Sequence, residues 1–159
     1  MNTIRITALL SAICAVSCAG SGSIPTVEIL SASPDTLTVS DDEKDDLTIA
    51  VRYSDPDGDL GQGIARIFDC YAEGLVTDLP IPRIANEDAV AQGASISGEM
   101  TLVVADVGAP GVESSLPKAC ADQGVSAPPE GKRVFCVVLI DAEGNESEGA
   151  CTGQIAVEP

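Results

Sequence analysis

The sequence has no histidine and only 8 Lys and Arg against 25 Asp and Glu, a formal charge of -17. Without imidazole there are no His-based triads, no His–zinc sites and no use of the commonest general base. The scarcity of Lys and Arg argues against nucleic acid, because neutralising phosphates takes clustered cationic side chains, and against electrostatic binding to a membrane surface. Two Tyr and two Phe are the only aromatic residues. That makes a thin core and offers little for stacking on sugar, which disfavours a carboxylate-pair glycosidase although Asp and Glu abound. The expectation is therefore a non-enzymatic protein. With 15 Gly and 10 Pro interrupting most windows, long helices are not expected. A chain of 159 residues suits one domain with a core and is too short for two comfortable ones.

One apolar stretch stands out near the start. Ile6-Thr7-Ala8-Leu9-Leu10-Ser11-Ala12-Ile13-Cys14-Ala15-Val16-Ser17 follows the single charge of Arg5 and has the length of a signal-peptide core. It falls short of the about 20 residues a membrane-spanning helix needs. It ends in Ala15-Val16-Ser17-Cys18, followed by Ala19-Gly20-Ser21-Gly22-Ser23. This resembles the lipobox of bacterial lipoproteins, in which two smallish apolar residues and then Ala, Gly or Ser precede the cysteine that is lipidated and becomes the mature N-terminus. Ala15 stands where Leu is preferred. The resemblance implies a signal peptide over 1–17, lipidation at Cys18, a tether over 18–24 and a domain over 25–159. It also implies a membrane partner through the lipid on Cys18. Ala19 rather than Asp after the cysteine resembles lipoproteins sorted to an outer membrane, on its periplasmic side or its surface. The other reading is an ordinary secretory leader cleaved between residues 17 and 23; both readings export the chain.

Beyond residue 25, short apolar runs alternate with Pro, Gly, Asp and Asn clusters, the pattern of an all-β sandwich. Extended segments are expected over 26–30, 36–40, 47–53, 63–71, 78–84, 97–104, 133–141 and 150–157, giving an Ig-like or fibronectin-III-like sandwich of about seven strands. The clearest, 47–53, puts Leu47, Ile49, Val51 and Tyr53 on one face and Thr48, Ala50 and Arg52 on the other. The stretch 133–140 is apolar on both faces and reads as a central strand. Helical turns are expected only near 87–92 and 118–123.

In an exported chain whose first mature cysteine carries lipid, Cys70, Cys120, Cys136 and Cys151 form an even set with three possible pairings. If Asp141-Ala142-Glu143-Gly144-Asn145-Glu146 closes a hairpin, Cys136 and Cys151 face each other across it, which allows a cross-strand disulfide. Cys70 then pairs with Cys120 by elimination. A one-residue shift of the turn would undo the first pairing.

Tyr53-Ser54-Asp55-Pro56-Asp57-Gly58-Asp59-Leu60 carries three aspartates at alternate positions around a glycine. Such carboxylates can converge on calcium, which takes six to eight oxygens. The spacing is not that of an EF-hand: counting from Asp55, glycine falls fourth instead of sixth and Arg66 occupies the twelfth place. Together with Val138-Leu139-Ile140-Asp141-Ala142-Glu143-Gly144-Asn145-Glu146-Ser147, the segment resembles the cadherin-like, PKD-like and bacterial Ig-like modules of bacterial extracellular proteins. The resemblance implies a sandwich and puts Ca2+ on Asp55, Asp57 and Asp59. In Ig-like topology the loop after the second strand and the last hairpin emerge at one end, which adds Asp141 to the candidate set and brings Glu143, Asn145 and Glu146 near, with Asn86, Glu87 and Asp88 in the same region. The N-terminal strand starts at that end too. The alternative for the aspartate loop is a solvated β-turn, since Asp-Pro and Asp-Gly are ordinary turn residues.

The expected function is a lipid-anchored envelope module for binding or structure, with an envelope protein or surface molecule as partner. The alternative is an inhibitor or ligand of a cationic protein that uses the Gly/Pro-rich stretch 108–131, pinned by Cys120. An ordinary surface insertion would explain that stretch equally.

Overall fold

The computed structural model describes residues 22–38, 45–71, 76–82, 94–107, 116, 118–126 and 128–158. The expected signal peptide, Cys18, residues 86–88, the helical turn over 87–92 and most of 108–117 lie outside them. Ten strands occur among the described residues: β1 (Thr26–Ser33), β2 (Thr36–Thr38), β3 (Asp45–Asp55), β4 (Ile64–Asp69), β5 (Val76–Pro80), β6 (Ile96–Val107), β7 (Lys132–Arg133), β8 (Phe135–Ile140), β9 (Ala150–Cys151) and β10 (Ile155–Glu158). A 3-10 turn spans Leu60–Gln62 and one short helix, α1, spans Lys118–Asp122.

The protein is an all-β sandwich. One sheet has the order β1-β3-β6, the second β5-β4-β8-β9, and a small third sheet has the order β2-β10-β7, with β7 leading into β8 and β9 into β10. β2 runs parallel to β10, whereas the other pairings are antiparallel. In Ig-like lettering, β1, β3 and β6 take the places of A, B and E, and β4, β8 and the β9–β10 pair those of C, F and G. The core between the main sheets is aliphatic. Leu47, Ile49 and Val51 of β3 and Leu102 of β6 meet Ala65 and Ile67 of β4 and Phe135, Val137 and Leu139 of β8.

Each of the eight expected extended segments overlaps a strand, the segment 78–84 only at residues 78–80. The count rises above seven because the last two are cut where the chain changes sheets: Val134 separates β7 from β8, and residues 152–154 separate β9 from β10. Thr152 fills the break by accepting the Phe135 N–H on its Oγ1 at 3.1 Å and donating its own N–H to the Phe135 carbonyl at 2.9 Å.

β8 is buried along both faces, as its apolar run requires. The face away from the core carries Cys136 and Val138, and Cys136 packs with Cys70, Cys120 and Val134 in a second small cluster. Two disulfides, Cys70–Cys120 and Cys136–Cys151, close that region. Cys136 sits directly opposite Cys151. Nearer the turn, Ile140 pairs with Glu146, one residue out of that register. The surplus residue is absorbed between Ser147, still bonded to Leu139, and Ala150, which faces Val137, so Glu148 and Gly149 bulge opposite Val138.

Candidate functional site

The alternation that sends Leu47, Ile49 and Val51 into the core also sends Asp55 there, at the last position of β3, where it is 0% exposed. A carboxylate delivered to a core edge needs partners. One oxygen has one: Asp55 Oδ2 accepts the Leu60 N–H at 2.8 Å, and Leu60, itself fully buried, pins the loop to the core. Between them the chain reverses at Gly58, with φ +81; a Cβ there would lie 2.2 Å from the Ala94 carbonyl oxygen, so only glycine fits. At the far side of the 3-10 turn a Cβ on Gly63 would lie 2.0 Å from the Ile140 oxygen. The loop is thus seated directly against the end of β8, where the last hairpin turns.

This geometry gathers Asp55, Asp57 and Asp59. One carboxylate oxygen from each lies within 4.8 Å of the others. The Oδ1 atom of all three is shielded from solvent and meets no hydrogen-bond donor of proper geometry among the described residues. No Lys or Arg ion pair reaches them among the described residues. Burial pushes the Asp55 carboxyl up to about 6, with the neighbouring Asp57 and Asp59 charges adding to the effect. Asp59 is raised as well, by burial first and then by Asp141, Asp57 and Glu143. Asp57 is lowered, chiefly because the Ser23 backbone N–H donates to its Oδ2 at 2.9 Å.

The last hairpin comes to the same end of the sandwich, as Ig-like topology implies. Asp141 stands beside the trio. Its Oδ1 accepts the N–H groups of Glu143 and Asn145 at 2.9 and 2.8 Å, and its Oδ2 accepts Asn145 Nδ2 at 2.8 Å. It therefore braces its own turn, completed by Gly144 at φ +89, and acts on Asp59 through its charge. Glu146 bears on Arg66 instead. The first described residues complete the pole: Gly22 packs so closely that a Cβ would lie 2.2 Å from Asn145 Nδ2.

Two features were not anticipated from sequence. Ser23 belongs to this pole, a contact across 34 residues that no local pattern encodes. At the opposite pole, Asp69 and Arg133, each 2% exposed, form a buried ion pair. Extending the inward register of β3 and β4 by one step would have flagged both Asp55 and Asp69.

Chemically, the trio is a set of hard oxygen donors with unmet bonding capacity, which suits a divalent cation such as calcium. No family model, curated protein or solved structure matches the chain.

Proposed function

We propose that this chain is a non-enzymatic, lipid-anchored envelope protein whose single β-sandwich holds a calcium ion at one pole through Asp55, Asp57 and Asp59. The observation that carries the metal reading is that one carboxylate oxygen of each aspartate lies within 4.8 Å of the others, while the Oδ1 atoms of all three are shielded and meet no donor among the described residues. A bound divalent cation supplies the positive charge that offsets this convergence. Asp141 contributes its field and keeps the hairpin in place beside the loop.

Anchoring is supported by the lipobox-like Ala15-Val16-Ser17-Cys18 and by the position of the first described residues. Residues 22 and 23 lie against the acidic pole, so a lipid on Cys18 puts that pole nearest the membrane. Among the described residues no helix is long and apolar enough to cross a bilayer. Outer-membrane sorting follows from Ala19, and the physiological partner is an envelope or surface molecule.

The test is calorimetric titration of the chelator-stripped protein with calcium. One ion per chain in the wild type, lost in Asp57→Ala, is the expected result; absence of binding by the wild type overturns the metal reading.

A further inference from the structure

We infer that Ser23 is itself a ligand of the cation, so that ion binding fastens the N-terminal segment to the sandwich as the third wall of the site. This rests on the reading that the aspartate loop holds a divalent cation and extends it to a residue outside that loop.

Ser23 meets the loop twice. Its N–H donates to Asp57 Oδ2, and its Oγ, shielded from solvent, lies beside the same carboxylate without a hydrogen bond of proper geometry. A shielded hydroxyl without a well-aligned hydrogen bond has bonding capacity to spare, and a serine hydroxyl oxygen is a ligand of the kind that hard cations accept. Among the described residues, the shielded oxygens at this pole that lack a well-aligned donor are Asp55 Oδ1, Asp57 Oδ1, Asp59 Oδ1 and Ser23 Oγ.

The segment is held in place on both flanks of Ser23. Pro25 is fully buried and starts the run into β1, while Gly22 packs against the hairpin residues Glu143 and Asn145. Ile24, by contrast, is 60% exposed and adds little packing. In the absence of an ion, residues 22–25 are held by the Ser23 backbone hydrogen bond, the packing of Gly22 on the hairpin and the burial of Pro25. With Ser23 as a ligand, the ion joins two segments distant in sequence, residues 22–23 and the loop 55–60, beside the turn 141–145 that braces itself. Cation concentration would then set how firmly residues 22–23 are held against the sandwich.

The experiment is hydrogen exchange and calcium titration on the full chain, comparing wild type, Ser23→Ala, Asp57→Ala and the control Thr26→Ala, whose hydroxyl bonds the Ser54 carbonyl outside the site. Calcium should slow amide exchange at Ser23 and Ile24 at least about tenfold in wild type and in Thr26→Ala. Ser23→Ala should bind calcium about tenfold more weakly and lose that protection, and Asp57→Ala should lose both. Wild-type affinity in Ser23→Ala, with exchange at residues 23–24 indifferent to calcium, overturns the role of Ser23 while leaving the aspartate site standing. No calcium uptake by the wild type overturns both.

Discussion

Asp55 and Asp69 each end the core-facing register of a strand, at opposite poles of the sandwich, and among the described residues only Asp69 meets a cationic side chain, the guanidinium of Arg133. The fold places two carboxylates at equivalent depth and answers one of them with protein charge. Arg133 also lies over the Phe135 ring, 5.1 Å from its centroid, so its position is fixed from two sides. Burial alone lowers the Arg133 pKa, to about 10, which leaves it charged at neutral pH. Replacing Asp69 with Ala strips that buried cation of its carboxylate and should cost about 3–5 kcal/mol, measured by denaturant unfolding. A loss below about 1 kcal/mol would show that the pair is not buried as described.

The answer at Asp55 is expected to depend on pH and metal. In chelator, its raised pKa of about 6 means that the folded state favours the protonated acid, whereas the unfolded chain ionises near 3.8. The stability this confers is fully present below about 4 and lost as pH rises through about 6. The metal-free protein should therefore gain melting temperature on acidification from pH 7 to 5. In saturating calcium the trend should reverse over the same window, because protons compete with the ion for the carboxylates. Parallel pH profiles in the two conditions would contradict the account.

The disulfides make a second pole of constraint. Cys70 and Cys136 bring their Sγ atoms within 3.3 Å, so the two bridges form one buried block. The Cys70–Cys120 bridge spans 50 residues and Cys136–Cys151 spans 15. In the chain-entropy picture these contribute about 4 and about 3 kcal/mol. Replacing both cysteines of the longer bridge with Ala should accordingly lower the denaturation midpoint more than the same change in the shorter one.

How much of this was legible in the sequence depended on range. The alternation of residues 47–53 gave β3 its faces, and the spacing of Cys136 and Cys151 about the turn gave their pairing. That pairing holds although the register slips near Ile140, since the bulge at Glu148 and Gly149 restores it. The aspartate loop was visible as a motif, and the topology brought the last hairpin to it. The same topological argument adds Asp141 to the candidate set, but the Asp-x-x-Gly-Asn turn uses both of its oxygens internally. Ser23 and the Asp69–Arg133 pair escaped notice because each contact joins residues more than 30 positions apart. Only the assembled sheets bring them together.

Gly58 offers a conformational test of the loop. Its φ of +81 and the 2.2 Å approach to the Ala94 oxygen leave no room for a side chain. Gly58→Ala should destabilise the fold by about 2 kcal/mol or more and weaken calcium binding in step, as the loop is displaced from Ala94. Unchanged stability and affinity would mean that the loop is not built as described.

Export and anchoring are tested by fractionation. Cys18→Ser should move the protein from the membrane fraction to the soluble periplasm or medium, and unchanged membrane association would remove the lipid anchor from the account.

The most direct measurement of the central claim is the melting temperature of the full chain in millimolar calcium against the same buffer with chelator, at pH 7. At a hundredfold excess over the dissociation constant, binding adds about 2.7 kcal/mol. For a domain of this size that is a rise of roughly 5–15 °C, and Asp57→Ala should abolish it. A wild-type melting temperature that does not move between chelator and millimolar calcium would contradict the claim.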